Sequence, residues 1–110
     1  MGSRHELHYE LRSLLGTTNE TDPTRARVYF QPPESIRLLY PCYIYRREPP
    51  DILRADNRLY GRVHKYGLIY ITLDPDDPLI EATEEHFSMC RLSRPYAADG
   101  LNHYYYDLYY

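Results

Sequence analysis

The residues with the best chemical credentials are His103 and Asp107, near the end of the chain. In a strand they project from the same face. They are two residue pairs apart, about 13 Å, too far for a direct hydrogen bond, and Tyr105 sits between them. They read as surface or interface groups rather than as a catalytic pair. No G-x-S-x-G elbow, phosphate-binding loop or H-E-x-x-H occurs. His5 and His8 have a spacing that suits a shared metal on a helix, but they lie off the stripe of Leu7, Leu11, Leu14 and Leu15 and read as solvated surface. Asp74-Pro75-Asp76-Asp77 has three carboxylates in four positions, yet it lacks the glycine and distal glutamate of a calcium loop, and two prolines stiffen it. Cys42 and Cys90 stand far apart in no paired motif, which predicts buried free thiols. No catalytic, cofactor-binding or metal-ligating residue is assigned, and neither an enzyme nor a cofactor is expected.

A second chemistry is base stacking. Arg46, Arg47, Arg54, Arg58, Arg62 and Lys65 interleave with Tyr43, Tyr45, Tyr60 and Tyr66, the mixture that single-stranded nucleic acid favours. A net charge of -3 opposes it, because phosphate binding needs a basic excess. The charge is divided unevenly: residues 1–73 hold 11 Arg and Lys against 8 Asp and Glu, and residues 74–110 hold 2 against 8. That division suits subunits that meet basic region to acidic region.

The elements that position these groups can be read from pattern. Ser3-Arg4-His5-Glu6 is a capping box, and Leu7, Leu11, Leu14 and Leu15 form one apolar stripe that ends at Gly16, so residues 3–15 should be a helix lying on a sheet. Thr17 to Arg27 offers nothing larger than Ala26 to a core and reads as a mobile loop. Residues 28–48 read as a central strand pair: Val28 to Phe30, a stop at Pro32-Pro33, then Leu38 to Arg47 with Cys42 and Ile44 on one face and Tyr43 and Tyr45 on the other. Residues 48–58 read as a long connection of the kind that reaches a partner. Residues 59–73 return to strand, with Leu68 and Tyr70 opposite Ile69 and Ile71 and a bulge or bend at Gly67.

Asp77 as N-cap and Pro78 as first helical residue open a short helix, residues 78–87, with Leu79, Ile80, Thr83 and Phe87 inward. Met89 to Leu92 reads as a brief strand, and Pro95 and Gly100 break the segment between it and Leu101. The last strand is 101–110, with Tyr104, Tyr106, Leu108 and Tyr110 on one face and His103, Tyr105, Asp107 and Tyr109 on the other. A chain of this length holds one core, so residues 1–110 form a single domain. There is no apolar run of signal-peptide or membrane-span length, which predicts a soluble protein made in a reducing cytoplasm. The 14 tyrosines and absence of tryptophan favour half-exposed sheets and protein interfaces over a merely tyrosine-rich core.

The string Val28-Tyr29-Phe30-Gln31-Pro32-Pro33-Glu34-Ser35, then Tyr40-Pro41-Cys42-Tyr43-Ile44-Tyr45, then Ala55-Asp56-Asn57 with Tyr60, resembles the tail terminator, or tail-completion, proteins of long-tailed bacteriophages. Arg94-Pro95-Tyr96, Asp99 and Leu101-Asn102-His103 before a tyrosine-rich end are similar to the same family's C-terminal signature. The likeness spans nearly the whole chain and departs from it at Glu20 to Arg27. It implies an α+β domain, a mainly antiparallel sheet of four to five strands flanked by an N-terminal helix and a second short helix. It further implies a homo-hexameric ring in the virion, at the neck or head-proximal end of the tail. That ring caps the tail tube, ends its polymerisation and offers the head-docking surface.

The partners so implied are other copies of the chain, the major tail tube protein and a head-completion or connector protein. DNA would only pass through the lumen, and no membrane is involved. Gln31, Pro32, Pro33, Glu34, Arg46, Arg47, Arg54, Asp56, Asn57 and Arg58 are the expected subunit or tube contacts, with the loop Glu20 to Arg27 also expected to reach a neighbour. The alternatives are another neck or stopper component or, in a different class, a small nucleic-acid-binding regulatory protein.

Overall fold

A computed structural model describes residues 3–22, 25–49 and 64–110. Two helices lie on one face of a five-stranded mixed sheet, an α+β fold as expected. Helix α1 (Arg4–Leu15) begins with the capping box: the Glu6 N–H donates to Ser3 Oγ, and the Ser3 N–H donates to Glu6 Oε1. It ends at Gly16, whose φ of 75° lets the Gly16 and Thr17 N–H groups turn back to the carbonyls of Ser13 and Arg12. Leu7 and Leu11 are fully buried, and Leu14 and Leu15 pack beside them.

The strands are β1 (Val28–Phe30), β2 (Cys42–Arg47), β3 (Lys65–Thr72), β4 (Cys90–Ala98) and β5 (Leu101–Tyr109), in the spatial order β1-β2-β3-β5-β4. β1 and β2 are parallel and every other pairing is antiparallel. The stretch read from sequence as a strand pair is therefore two parallel neighbours, with β2 in the sheet interior. β2 starts at Cys42 rather than Leu38, because the chain first crosses the sheet: Ile36, Leu38 and Tyr40 pack against Tyr29, Cys42 and Ile71 before a cis Tyr40-Pro41 bond turns it into β2.

Three further expectations are corrected. The described part of the Thr17–Arg27 segment is anchored, with Thr17 and Ala26 buried, Thr17 Oγ1 donating to the Ala26 carbonyl at 2.8 Å and the Arg12 guanidinium donating to the carbonyls of Thr17 and Glu20. Polar residues hold it in place of apolar ones. Gly67 causes no bulge, because its ladder runs unbroken on both sides; a side chain there would meet the Glu48 carboxylate. The irregularity lies instead at Ser93, where the β4 register shifts. Finally, Pro95 does not end β4, which continues to Ala98. As the outer strand, β4 can carry a residue with no N–H. Asp99 and Gly100, at φ 54° and 77°, make the two-residue turn into β5.

The core lies between helices and sheet and is largely tyrosine. Tyr43, Tyr45, Tyr66, Tyr70 and Tyr106 are all buried there, so for these five the tyrosine excess is core rather than interface. Four of them turn a hydroxyl toward a helix or its entry. Thr83 Oγ1 donates to the Leu79 carbonyl at 2.6 Å, so Tyr43 must be the donor in its 2.5 Å bond to Thr83. Tyr106 donates to the Ile80 carbonyl at 2.7 Å, and Tyr45 meets His8 Nδ1 at 2.7 Å. Tyr70 donates to Asp77 Oδ2 at 2.6 Å. Asp77 also accepts from Thr72 Oγ1 and, through Oδ1, from the first N–H of helix α2 (Leu79–His86); the N-cap position falls to Pro78, one residue later than the pattern suggested, and Asp77 serves the helix from just outside it. Burial pushes the Asp77 carboxyl up, but its three donors outweigh that and hold it below the ordinary value. Leu79, Ile80, Thr83 and Phe87 face inward as read.

Candidate assembly surface

Both helices occupy one side of the sheet, and among the described residues little lies on the other. Among the described residues the 31–41 connection covers its upper corner, over Tyr29, Cys42 and Ile71. The strand registers spell out what remains. One row runs Ile44, Ile69, Tyr105, Arg94 across β2, β3, β5 and β4. The next runs Arg46, Gly67, Asp107, Arg91. Above them His103 and Tyr96 continue the row of Cys42 and Ile71, and below them Lys65 pairs Tyr109.

This face is aromatic and aliphatic in the middle and basic at its margins. The Arg94 guanidinium lies 5.0 Å from the centre of the Tyr105 ring and Lys65 Nζ 5.9 Å from that of Tyr109. Tyr96, 47% exposed, stacks on His103 with centroids 4.7 Å apart. Ile44, Ile69, His103, Tyr105 and Tyr109 are half-buried. Arg46, Arg91 and Arg94 are exposed, and Arg46 makes a 3.5 Å ion pair with Glu48.

The residues read from sequence as contacts divide between two sites and the undescribed part of the chain. Gln31, Pro33 and Glu34 are exposed and Pro32 half-buried, at the rim beyond β1. Gln31 has a structural task that the sequence did not reveal. Its N–H donates to the Tyr45 carbonyl and its Oε1 accepts from the Arg47 N–H, which extends the β1–β2 ladder past the end of β1. Arg46 and Arg47 are exposed at the end of β2 but point to opposite faces, with Arg46 on the open side. Arg54, Asp56, Asn57 and Arg58 lie outside the described residues, as does nearly all of the 48–58 loop and the 59–63 start of the predicted strand.

The chemical candidates fall in separate places. His103 and Asp107 share the open face with Tyr105 between them; Asp107 stands opposite Arg91, and His103 Nδ1 has no hydrogen-bond partner. His8 is not solvated surface. It is half-buried against Tyr45, which also accepts a long 3.4 Å bond from Arg4; burial, then the charges of Arg4 and Arg12, hold its pKa below the ordinary value. The Tyr45 hydroxyl therefore donates to a neutral imidazole. Asp74 accepts the Asp76 N–H, so the aspartate run is occupied with its own turn and cap. Among the described residues no group of three or more His, Cys, Asp or Glu is disposed to hold a metal ion, and no helix is long and apolar enough to cross a membrane. Cys42 and Cys90 are free thiols, and burial pushes each up to about 12.

Of the four rings that the base-stacking alternative offers, this packing withdraws three. Tyr43, Tyr45 and Tyr66 are in the core and present no ring to a base, and Tyr60 lies outside the described residues. The aromatic residues that do reach the surface of the sheet are Tyr96, Tyr105 and Tyr109, which strand parity assigned to a face but nothing in the sequence marked as uncovered. No protein-family model matches the chain, and neither the curated proteins nor the solved structures yield a match.

Proposed function

We propose that this protein is a structural subunit of a phage tail: a ring-forming protein that caps the tail tube, ends its polymerisation and offers a surface for the head. The observation that carries the reading is the sheet with one face sealed by helices and the other, among the described residues, aromatic and aliphatic at its centre with arginines at its margins. Such a face suits permanent or semi-permanent contact with protein, because its centre is apolar and its margin polar. The residues that carry the resemblance support the reading in a second way. Val28 to Ser35 and Tyr40 to Tyr45 form adjacent strands and part of the connection across the same sheet, in the α+β fold that the resemblance implies.

The work is geometric. A cap must match the tube end, block the next tube subunit and keep the axis open, which needs a rigid subunit and closed symmetry rather than turnover. Electron microscopy of particles made without the protein tests this. Tails of abnormal length, or tails unattached to heads, are expected. Tails of normal length joined to heads refute the capping role, and tails of normal length that fail only to join heads assign the protein to another neck component.

A further inference from the structure

We propose that the open sheet face of one copy receives the acidic strip of a second copy, running from the turn after β3 along α2. This rests on the ring reading above and names the contact that would build it. The strip holds Asp74, Asp76, Asp77, Glu81, Glu84 and Glu85 with no Arg or Lys. Asp77 and Glu84 are engaged within the subunit, Glu84 by accepting the Leu92 N–H, while Asp74, Asp76, Glu81 and Glu85 are exposed. Leu73, 66% exposed, is the most solvent-bared large apolar side chain among the described residues and immediately precedes the acidic turn.

The two surfaces correspond in chemistry and size. The open face has an apolar centre of Ile44, Ile69 and Tyr105 with Arg46 at one side and Arg91 and Arg94 at the other. Two carboxylates also lie on it, Glu48 over Gly67 and Asp107 opposite Arg91, so that with Lys65 its balance is four cationic side chains to two acidic ones. Arg46 and Arg91 are three strand spacings apart, about 14 Å. α2 is 8 residues long, about 12 Å. α2 is thus about as long as the distance between Arg46 and Arg91, and it is these arginines and Arg94, not the Gly67–Asp107 stretch between them, that its carboxylates would meet. Within one subunit the two surfaces cannot meet, because α2 packs on the opposite side of the sheet, with Thr83 bonded to Tyr43 and Ile80 to Tyr106. A contact that joins opposite sides of identical subunits is heterologous. It leaves one of each surface unfilled in a dimer and is completed only by a closed ring or a continuing filament.

The test uses the full chain and two charge-reversed variants, R46E/R94E on the face and E81K/E85K on the strip. Sedimentation velocity and native mass spectrometry read assembly, and circular dichroism checks the fold. The wild type is expected to assemble, with association weakened about tenfold or more on going from low to high salt. Each variant alone should be monomeric, having like charges on both surfaces. An equimolar mixture should assemble again, with the variants alternating. A wild type that stays monomeric at its highest soluble concentration, variants that assemble like wild type, or a mixture that fails to assemble while both components are folded would each overturn the proposal. So would loss in R46E/R94E of binding to oligothymidylate or to isolated tail tubes with self-association intact. Assembly that obeys this pattern beside normal tails in particles lacking the protein would leave the contact standing and remove the capping role.

Discussion

Replacing Asp77 with alanine should be among the most costly single changes outside the apolar core, for a reason that can be counted bond by bond. One carboxylate accepts from the Tyr70 hydroxyl, the Thr72 hydroxyl and the Leu79 N–H, so it joins the end of β3 to the start of α2. Loss of its bond to the first N–H of α2, equivalent to a helix cap, costs about 1 kcal/mol. Tyr70 and Thr72 are buried, and a buried hydroxyl without an acceptor costs roughly 1–3 kcal/mol. Asp77 is itself half-exposed, so water can enter the space, and the lower end applies; the total is about 2–4 kcal/mol. For a chain of this length that lowers the melting temperature by roughly 10–20 °C. Urea unfolding followed by circular dichroism and tyrosine fluorescence measures it.

A Tyr70→Phe partner completes a double-mutant cycle, with an expected coupling of about 1–2 kcal/mol between the two side chains. The pH dependence has a definite sign. Because the folded Asp77 carboxyl is held below its ordinary value of 3.8, its contribution is present above that value and is lost as pH falls through the folded one. The stability gap between wild type and Asp77→Asn should therefore narrow in acid. A loss below about 0.5 kcal/mol for Asp77→Ala, or a coupling indistinguishable from zero, refutes the reasoning.

His8, held low by burial and by Arg4 and Arg12, should titrate by NMR below the ordinary histidine value of 6.5, and stability should fall as pH drops from there toward the folded value; a His8→Gln variant should show a flatter profile over that interval. Tyr43→Phe should cost about 1 kcal/mol through its lost bond to Thr83, whereas Tyr66→Phe should be neutral or stabilising, because the Tyr66 hydroxyl is buried with no partner; equal losses in urea melts would contradict this. Gly100→Ala, at φ 77° in the β4–β5 turn, should cost about 1–2 kcal/mol, read from the same melts. Cys42 and Cys90, with thiols pushed up to about 12, should resist alkylation at mildly alkaline pH in the native protein and react fully in urea.

Much of the architecture was legible where a local rule acted alone. Ser3 and Glu6 close a capping box within four residues, and Leu68 and Tyr70 alternate with Ile69 and Ile71 across a strand with no competing signal. Legibility failed where the deciding partner was distant. Pro95 reads as a breaker unless β4 is known to be the outer strand, and Gly67 reads as a bulge unless Glu48 is known to lie over it. Thr17 and Ala26 look like loop residues until Arg12 and the end of α1 are seen to bind them.

The assembly surface was the least legible. Strand parity gave Tyr105 and Tyr109 a common face, but which side the helices take is a tertiary choice, and Arg46, Arg91 and Arg94 converge only through the β2-β3-β5-β4 order. Tyrosine count pointed to interfaces. The fold instead places five tyrosines in the core, where four of their hydroxyls find partners on α1, on α2 and at Asp77, and leaves others for the surface.

Cryo-electron microscopy of the intact particle measures both the position of this protein in the virion and its symmetry. Six copies of this fold are expected in one closed ring at the head-proximal end of the tail tube, each open sheet face covered by the α2 strip of its neighbour. Density for the fold elsewhere in the virion, its absence from the virion, or a ring in which Ile44, Ile69 and Tyr105 face solvent would contradict it.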